Sequence, residues 1–416
     1  MSIAVTRLRG AREIMTGSRL RILLLLSLSL LIGGCGTMGQ RPQKQGPVAI
    51  QYPTENLSER ELLDVWVEVF DPGKVDQERD RKVGISPEIR NAESRFIPVQ
   101  LKKTLQRTGH WGAVRVVPED TPGGELIVSG EILASDGELL RLQIVARDIT
   151  GRQWLDKTYQ SVADAAGYRD TGQGNYDAFQ NIYNSIANDL AKIKQKLSAG
   201  ELVSIRRVAE LSFAADLAPR PFEDYLQSEN GRQSVRRLPA EDDPMMRRVL
   251  TIRERDYLFI DTLNDHYDDY YRNMREPYGN WRRFNQEEIE YLREVEREAM
   301  TRKVLGIGAM VGAIALGMSN NRDSGVNTDT LSQAMLLGGL MVAKSGFDKD
   351  SEKQIHVDAM QELGDSFESE ASPMVVEVDD ETHQLTGSVE TQYAKWRDLL
   401  HRIYLSETGL TDPSVP

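Results

Sequence analysis

A chain of 416 residues with 51 lysines and arginines against 64 aspartates and glutamates carries a formal charge of −13, a balance that argues against nucleic acid and against anionic headgroups. At 40% hydrophobic residues it has enough apolar material for an ordered body of two or three domains. Its single cysteine leaves no intramolecular disulfide to hold that body together.

The first 34 residues form a leader. Arg7, Arg9, Arg12, Arg19 and Arg21 make a positive n-region, and Ile22 to Ile32 an apolar run of eleven residues, inside the ~7–15 of a secretory h-region and too short to span a bilayer. The run closes on Leu31-Ile32-Gly33-Gly34-Cys35. Small residues directly before the chain's one cysteine resemble the lipobox of bacterial lipoproteins. That resemblance implies a Cys35 diacylated on sulfur, cut free and acylated on its new amino group, with three acyl chains in place of the marginal hold of one. Gly36 stands where an aspartate would retain an enterobacterial lipoprotein in the inner membrane, so the resemblance implies an outer-membrane, lipid-anchored protein on the periplasmic face. An ordinary signal peptide with an incidental cysteine, or an uncleaved anchor, is the alternative. The leader holds five arginines against Glu13, which leaves about −17 on the remainder. Gly36 to Gly46, polar with Gly, Gln, Lys and Pro42, reads as a disordered tether.

From Pro47 to Ser198 the pattern predicts a small α/β domain. Leu62 to Phe70 alternates like a strand and ends at the turn signal Asp71-Pro72-Gly73, with a charged loop from Lys74 to Lys82. Ile97, Leu101 and Leu105 give a helix an apolar face, with Pro98 tolerable only near its first turn and a stop at Gly109. Strands are expected at Val114 to Val117, Leu126 to Ile132, Leu140 to Ala146 and Gln153 to Tyr159, with Asp136-Gly137 and Asp148 to Gly151 as turns. A second helix places Phe179, Ile182, Tyr183, Ile186, Leu190, Ile193 and Leu197 on one side, to share with the first in covering one sheet face. This element order, with its Asp-x-x-Gly turn, resembles the small α/β domain of the TolB amino-terminal region and the curli secretion lipoprotein. The resemblance implies docking and oligomer assembly without catalysis; an ordinary two-layer domain of other use fits the same order.

Residues 199–372 read as a helical region. Leu202, Ile205 and Ala209 begin one helix, broken at Pro219 and Pro221, with a second break from Leu238 to Pro244. Met245 to Tyr271 make a long helix ending before Pro277-Tyr278-Gly279, its tyrosine row read as a core edge with wet hydroxyls. Asn285 would cap the next helix, with Glu287 and Glu288 in its first turn. Val304 to Met318 carries no charge. After a polar loop from Ser319 to Asp329, Thr330 and Gln333 suit a capping box, Leu331 to Ala343 is again apolar, and a charged amphipathic helix runs from Lys344 through Phe367. The expectation is a long helical hairpin with an apolar tip at 304–343, each arm of which, ~22 Å of helix, is short of the ~30 Å of hydrocarbon. Gly308 and Gly312, then Ala313 and Gly317, with Gly338 and Gly339 on the return, make lines along which helix backbones can pack closely. Packing within a protomer, between protomers, or insertion of the tip in a bilayer all fit that pattern. Residues 373–416 should form a strand at Met374 to Val378, another at Leu385 to Val389, and a closing helix from Tyr393 to Tyr404.

Few residues suggest chemistry. Gly306, Gly308 and Gly312 are spaced wrongly for a dinucleotide loop and follow a helix, and Gly172 and Gly174 lack the Lys-Ser or Lys-Thr of a P-loop. Asp261, Asp265, His266, Asp268 and Asp269 read as a solvated acidic face, and Asp379, Asp380, Glu381 and His383 as an acidic turn. No nucleophile and base stand together, so no catalytic residue, cofactor or metal is expected. The fold class expected is α+β, and the function a non-enzymatic scaffold or assembly component of a cell envelope, with an envelope protein partner or a homo-oligomer. An accessory lipoprotein of a secretion or transport machine, or an envelope hydrolase with an unrecognised site, are the alternatives.

Overall fold

A computed structural model describes residues 46–74, 85–164, 177–315, 355, 357–362, 365, 374–378 and 381–408, giving the backbone alone at 292–293, 295–315, 374–378 and 381–383. The fold is α+β, with strands concentrated in the amino-terminal part and helices after them. Strands β1 (Val65–Glu68), β2 (Val114–Val117), β3 (Leu126–Ser135), β4 (Leu139–Asp148) and β5 (Gln153–Val162) form one sheet in the order β2-β1-β3-β4-β5. β1 is parallel to both neighbours, and β3, β4 and β5 form an antiparallel meander. Parallel pairing of β1 with β2 requires a crossover, which α1 (Pro87–Thr108) supplies. The connection from β2 to β3 crosses the ring of Trp66, where a Cβ on Gly124 would lie 2.9 Å from the indole.

Helix α1 begins on Ser86, whose Oγ accepts from the Ile89 amide, and ends as expected on Gly109 at φ 70°. Its length corrects the reading of Pro98, which lies mid-helix and not in the first turn. Proline has no amide to give the Ser94 carbonyl one turn earlier. That carbonyl accepts instead from the Phe70 amide, at 2.9 Å, and the helix is thereby tied to the end of β1.

Helix α2 (Gln180–Lys194) and α1 cover the sheet through a core that includes Val65, Val67, Leu126, Leu142, Ile144, Leu101, Ile186 and Leu190. α3 (Ala199–Leu217) starts on a capping box in which Ser198 and Glu201 satisfy each other's backbone amides. A β-hairpin follows that the sequence reading missed, β6 (Leu226–Glu229) and β7 (Arg232–Val235), turning at Asn230 and Gly231 with φ of 53° and 72°. Both values suit the Asn-Gly turn that favours hairpins. The Gln233 amide bonds to the Thr150 carbonyl, so this hairpin sits on the turn between β4 and β5.

Helix α4 runs unbroken from Pro244 to Ala315, 72 residues or about 108 Å. This corrects two expectations at once: the helix does not stop before Pro277, and Asn285 is no cap but a wholly buried mid-helix residue whose Nδ2 donates to the Asp136 carbonyl at 2.7 Å. Met274, Tyr278, Trp281 and Asn285 fall four, three and four apart and all are buried, so the inward stripe continues in phase across the proline. Packing on that stripe outweighs the one hydrogen bond that proline removes. At the end of the chain β8 (Met374–Val378) pairs with β9 (Glu381–Leu385). Gly387, at φ 111°, and Ser388, which accepts from the Thr391 amide, then start α5 (Val389–Thr408), so the second strand lies earlier than the Leu385 to Val389 expected. A second core joins Phe96 of α1, Val116 of β2, Phe213 of α3, Ile260 and Tyr267 of α4, Met360, and Trp396 and Leu400 of α5.

The outer edge of the sheet on the β2 side is closed by a side chain. Asn264 of α4 accepts from the Val116 amide at 2.7 Å and from Lys102 Nζ at 3.0 Å. Asn264→Leu strands the buried Val116 amide, at a cost of about 1–3 kcal/mol, and leaves Lys102 with Asp268, at 2.9 Å. Urea unfolding should show a loss of roughly 2 kcal/mol, against under 1 kcal/mol for an exposed neighbour such as Thr262→Ala.

Candidate functional site

The segment by which the chain enters the fold is held by side chains, with no strand partner among the described residues. Val48 to Gln51 lies along α2, where Asn181, Asn184 and Asn188 recur at helical spacing on one stripe. Asn181 Oδ1 accepts from the Val48 amide at 2.9 Å, and Asn184 Nδ2 donates to the Val48 carbonyl at 2.7 Å. Asn188 does both, accepting from the Gln51 amide at 2.9 Å and donating to the Ala49 carbonyl at 2.8 Å. His110 Nε2 lies 3.1 Å from the Gln51 carbonyl, which can only accept, so Nε2 carries the proton. Burial pushes the His110 pKa down and keeps the ring neutral.

From this clamp a row of buried side chains leads to α4. Asn184 Oδ1 accepts from Gln180 Nε2 at 2.8 Å, Gln180 Oε1 from Gln100 Nε2 at 3.0 Å, and Gln100 Oε1 from the Tyr271 hydroxyl at 2.6 Å. Every bond points the same way, from α4 toward the entering chain, and aligned bonds of this kind polarise one another. Tyr267, Tyr270 and Tyr271 are all buried, which corrects the expectation of wet hydroxyls.

Charged pairs fasten α4 on either side of that row. Arg115 of β2 meets Asp261 in two bonds, 2.6 and 3.2 Å, and reaches Asp64 at 3.3 Å. Lys102 binds Asp268 at 2.9 Å. Arg282 takes both oxygens of Asp177, at 3.2 and 2.9 Å, with both side chains under 10% exposed. Glu93, fully buried, accepts from Tyr278 at 2.7 Å, from Arg90 at 3.2 Å and from Ser135. Burial raises its pKa, and Arg90 is the chief opposing influence. The acidic face predicted on this helix is therefore only partly solvated. Asp261, Asp265 and Asp269 are exposed, as expected, although Asp261 also pairs with Arg115, whereas Asp268 is half-buried against Lys102. Among the described residues no group of histidines and carboxylates could hold a metal, and no helix is long and apolar enough to cross a membrane.

The residues singled out in the sequence lie elsewhere. Cys35, Gly317, Gly338 and Gly339 fall outside the described residues, as do the charged loop beyond Lys74, Asp379 and Asp380. Gly308, Gly312 and Ala313 lie on the described backbone of α4, and Glu381 and His383 in β9. Sequence reasoning missed the asparagine stripe and the glutamines. The one signal was the recurrence of Asn181, Asn184 and Asn188 beside an apolar face. Compared with protein-family models, with curated proteins and with solved structures, the chain has no match.

Asp256 on α4 is sealed beneath α5, with Trp396 Nε1 at 3.1 Å and Arg397 at 3.6 Å. Burial, opposed first by Arg397, pushes its pKa up from 3.8 to about 6. The native state then holds a proton that the unfolded chain releases between these values, so stability falls as pH rises from about 4 to about 6. Asp256→Asn should flatten that slope, by roughly 2–3 kcal/mol across the window in urea titrations. Equal slopes in the two proteins would show that Asp256 stays ionised throughout.

Proposed function

We propose that this chain is a non-enzymatic outer-membrane lipoprotein, anchored through Cys35 on the periplasmic face, and that it serves as a scaffold or assembly component of a cell-envelope structure. The observation that carries the reading is the seam just described. The point where a lipid tether would enter the fold and the base of a helix of about 108 Å are fastened to the same small α/β body by buried polar bonds. A scaffold must hold a fixed geometry between its anchor and whatever it presents, and such a seam meets that need. The titratable groups buried there are spent on each other: Glu93 on Tyr278, Ser135 and Arg90, and Asp177 on Arg282. The leader and its lipobox supply the anchor, and the close-packing line of Gly308, Gly312 and Ala313 on α4 supplies a surface for an envelope protein or a second copy.

Two measurements test this. Radiolabelled palmitate should enter the wild-type protein and not Cys35→Ala, because the thiol is the first acyl acceptor; a wild type that takes up no label removes the anchoring half of the proposal. Crosslinking followed by mass measurement on detergent-extracted native protein should return one stoichiometric envelope partner or a defined homo-oligomer. Gly312→Leu should disperse that assembly while leaving the melting temperature within a few degrees, since a bulky side chain at a helix contact forces the backbones apart. A monomer without a partner in the wild type would overturn the scaffold reading.

A further inference from the structure

Between α1 and α4 lies a cavity of about 430 Å³, lined by Gln100, Lys103, Gln106, Arg107 and Tyr271. Its floor is neutral and already bonded, since the Gln100 amide donates to Gln180 and its carbonyl accepts from the Tyr271 hydroxyl. Its walls are cationic. The Lys103 ammonium lies 3.6 Å from the centroid of the Tyr271 ring, and its one carboxylate neighbour among the described residues, Asp268 at 3.8 Å, is bonded more closely by Lys102 at 2.9 Å. Arg107, at the exposed rim, has among the described residues only the neutral Thr104 hydroxyl as hydrogen-bond partner, at 3.3 Å. Arg275, one turn of α4 beyond Tyr271, makes no ion pair among the described residues. Burial lowers the Lys103 pKa; Asp268 opposes that shift, while Lys102, Arg272 and Arg275 add to it.

In a chain with 64 acidic residues against 51 basic ones, such a concentration of positive charge is a local inversion. Basic residues near the end of α1 also complement its dipole. That role does not require a cavity closed on its far side by an aromatic ring of a second helix, as Tyr271 closes this one. We propose that the cavity is an anion site for a phosphate monoester, with Lys103 as the point charge and Arg107 as the planar fork that grips two oxygens. The net negative charge of the protein does not forbid this, because at physiological ionic strength charges more than about 8 Å away are largely screened. It does restrict the ligand to a single group that enters the pocket, as opposed to an extended anionic surface. The phosphate could come from solution or from the headgroup of an envelope lipid, and the proposal is independent of the anchoring reading.

Native protein in neutral detergent would be titrated with inorganic phosphate and, separately, with dihexanoyl phosphatidic acid below its micelle concentration, following ³¹P line width. Saturable binding of at least one is expected, weakened about tenfold or more in Arg107→Gln and in Lys103→Gln and unchanged in Arg236→Gln, an exposed arginine paired with Asp224. Phosphatidic acid binding alone would assign the lipid headgroup, and comparable binding of inorganic phosphate the soluble anion. Should Lys103→Gln fold poorly by circular dichroism, Arg107→Gln at the rim carries the comparison. Absence of binding by both probes, or binding that persists equally in Arg107→Gln, overturns the site.

Discussion

A four-residue strand at the edge of a sheet exposes a row of amides and carbonyls that must be covered or blunted. In this protein the cover for β2 is a helix, and the contact that sets its position is the side chain of Asn264 on the Val116 amide. Asp261 and Asp268 lie three residues before it and four after, on the same stripe, and take Arg115 and Lys102. With those three positions fixed against β2 and α1, the rest of α4 has little freedom. Its apolar stripe meets α3 and α5, its tyrosines meet α1, and Arg282 and Asn285 reach Asp177 and the turn at Asp136.

Polar groups so deeply placed are not the cheapest way to hold two elements together. A buried ion pair is weak evidence for stability, because desolvation cancels much of its attraction, yet removal of one partner is costly. Glu93 and Asp256 show this directly, since burial raises both pKa values against the pull of neighbouring arginines. What such groups supply is a definite register. An apolar stripe on a 72-residue helix could slide by a turn at modest cost. A stripe that must also present Asn264 to one amide and Arg282 to one carboxylate cannot.

Much of the sheet was legible in the sequence because it depends on local rules. Alternation in β3 and β4, the turn at Asp136-Gly137 and the stop at Gly109 follow from side-chain period and backbone freedom within a few residues. The errors arose where distant partners decide. Pro98 and Pro277 looked like helix ends, but the carbonyl that Pro98 leaves free is used by Phe70, and Pro277 sits within a stripe buried on both sides of it. Asn230-Gly231 was a readable hairpin signal overlooked between two proline breaks. Almost none of the site was legible. Asparagine and glutamine leave no trace in a hydrophobic pattern, and a bond from residue 271 to residue 100 has no local signature.

The row from Tyr271 to Val48 ends on a main-chain carbonyl, and a carbonyl cannot donate. That end fixes the sense of every amide behind it, so the row has no reversed alternative. The clamp recognises residues 48 to 51 by backbone alone, at two amides and three carbonyls. The entering segment can therefore change its side chains over evolutionary time without loosening its attachment, as long as no proline removes the amide of Val48 or Gln51. Conserved identity should accordingly be sought in the asparagines of α2 and not in the segment they hold.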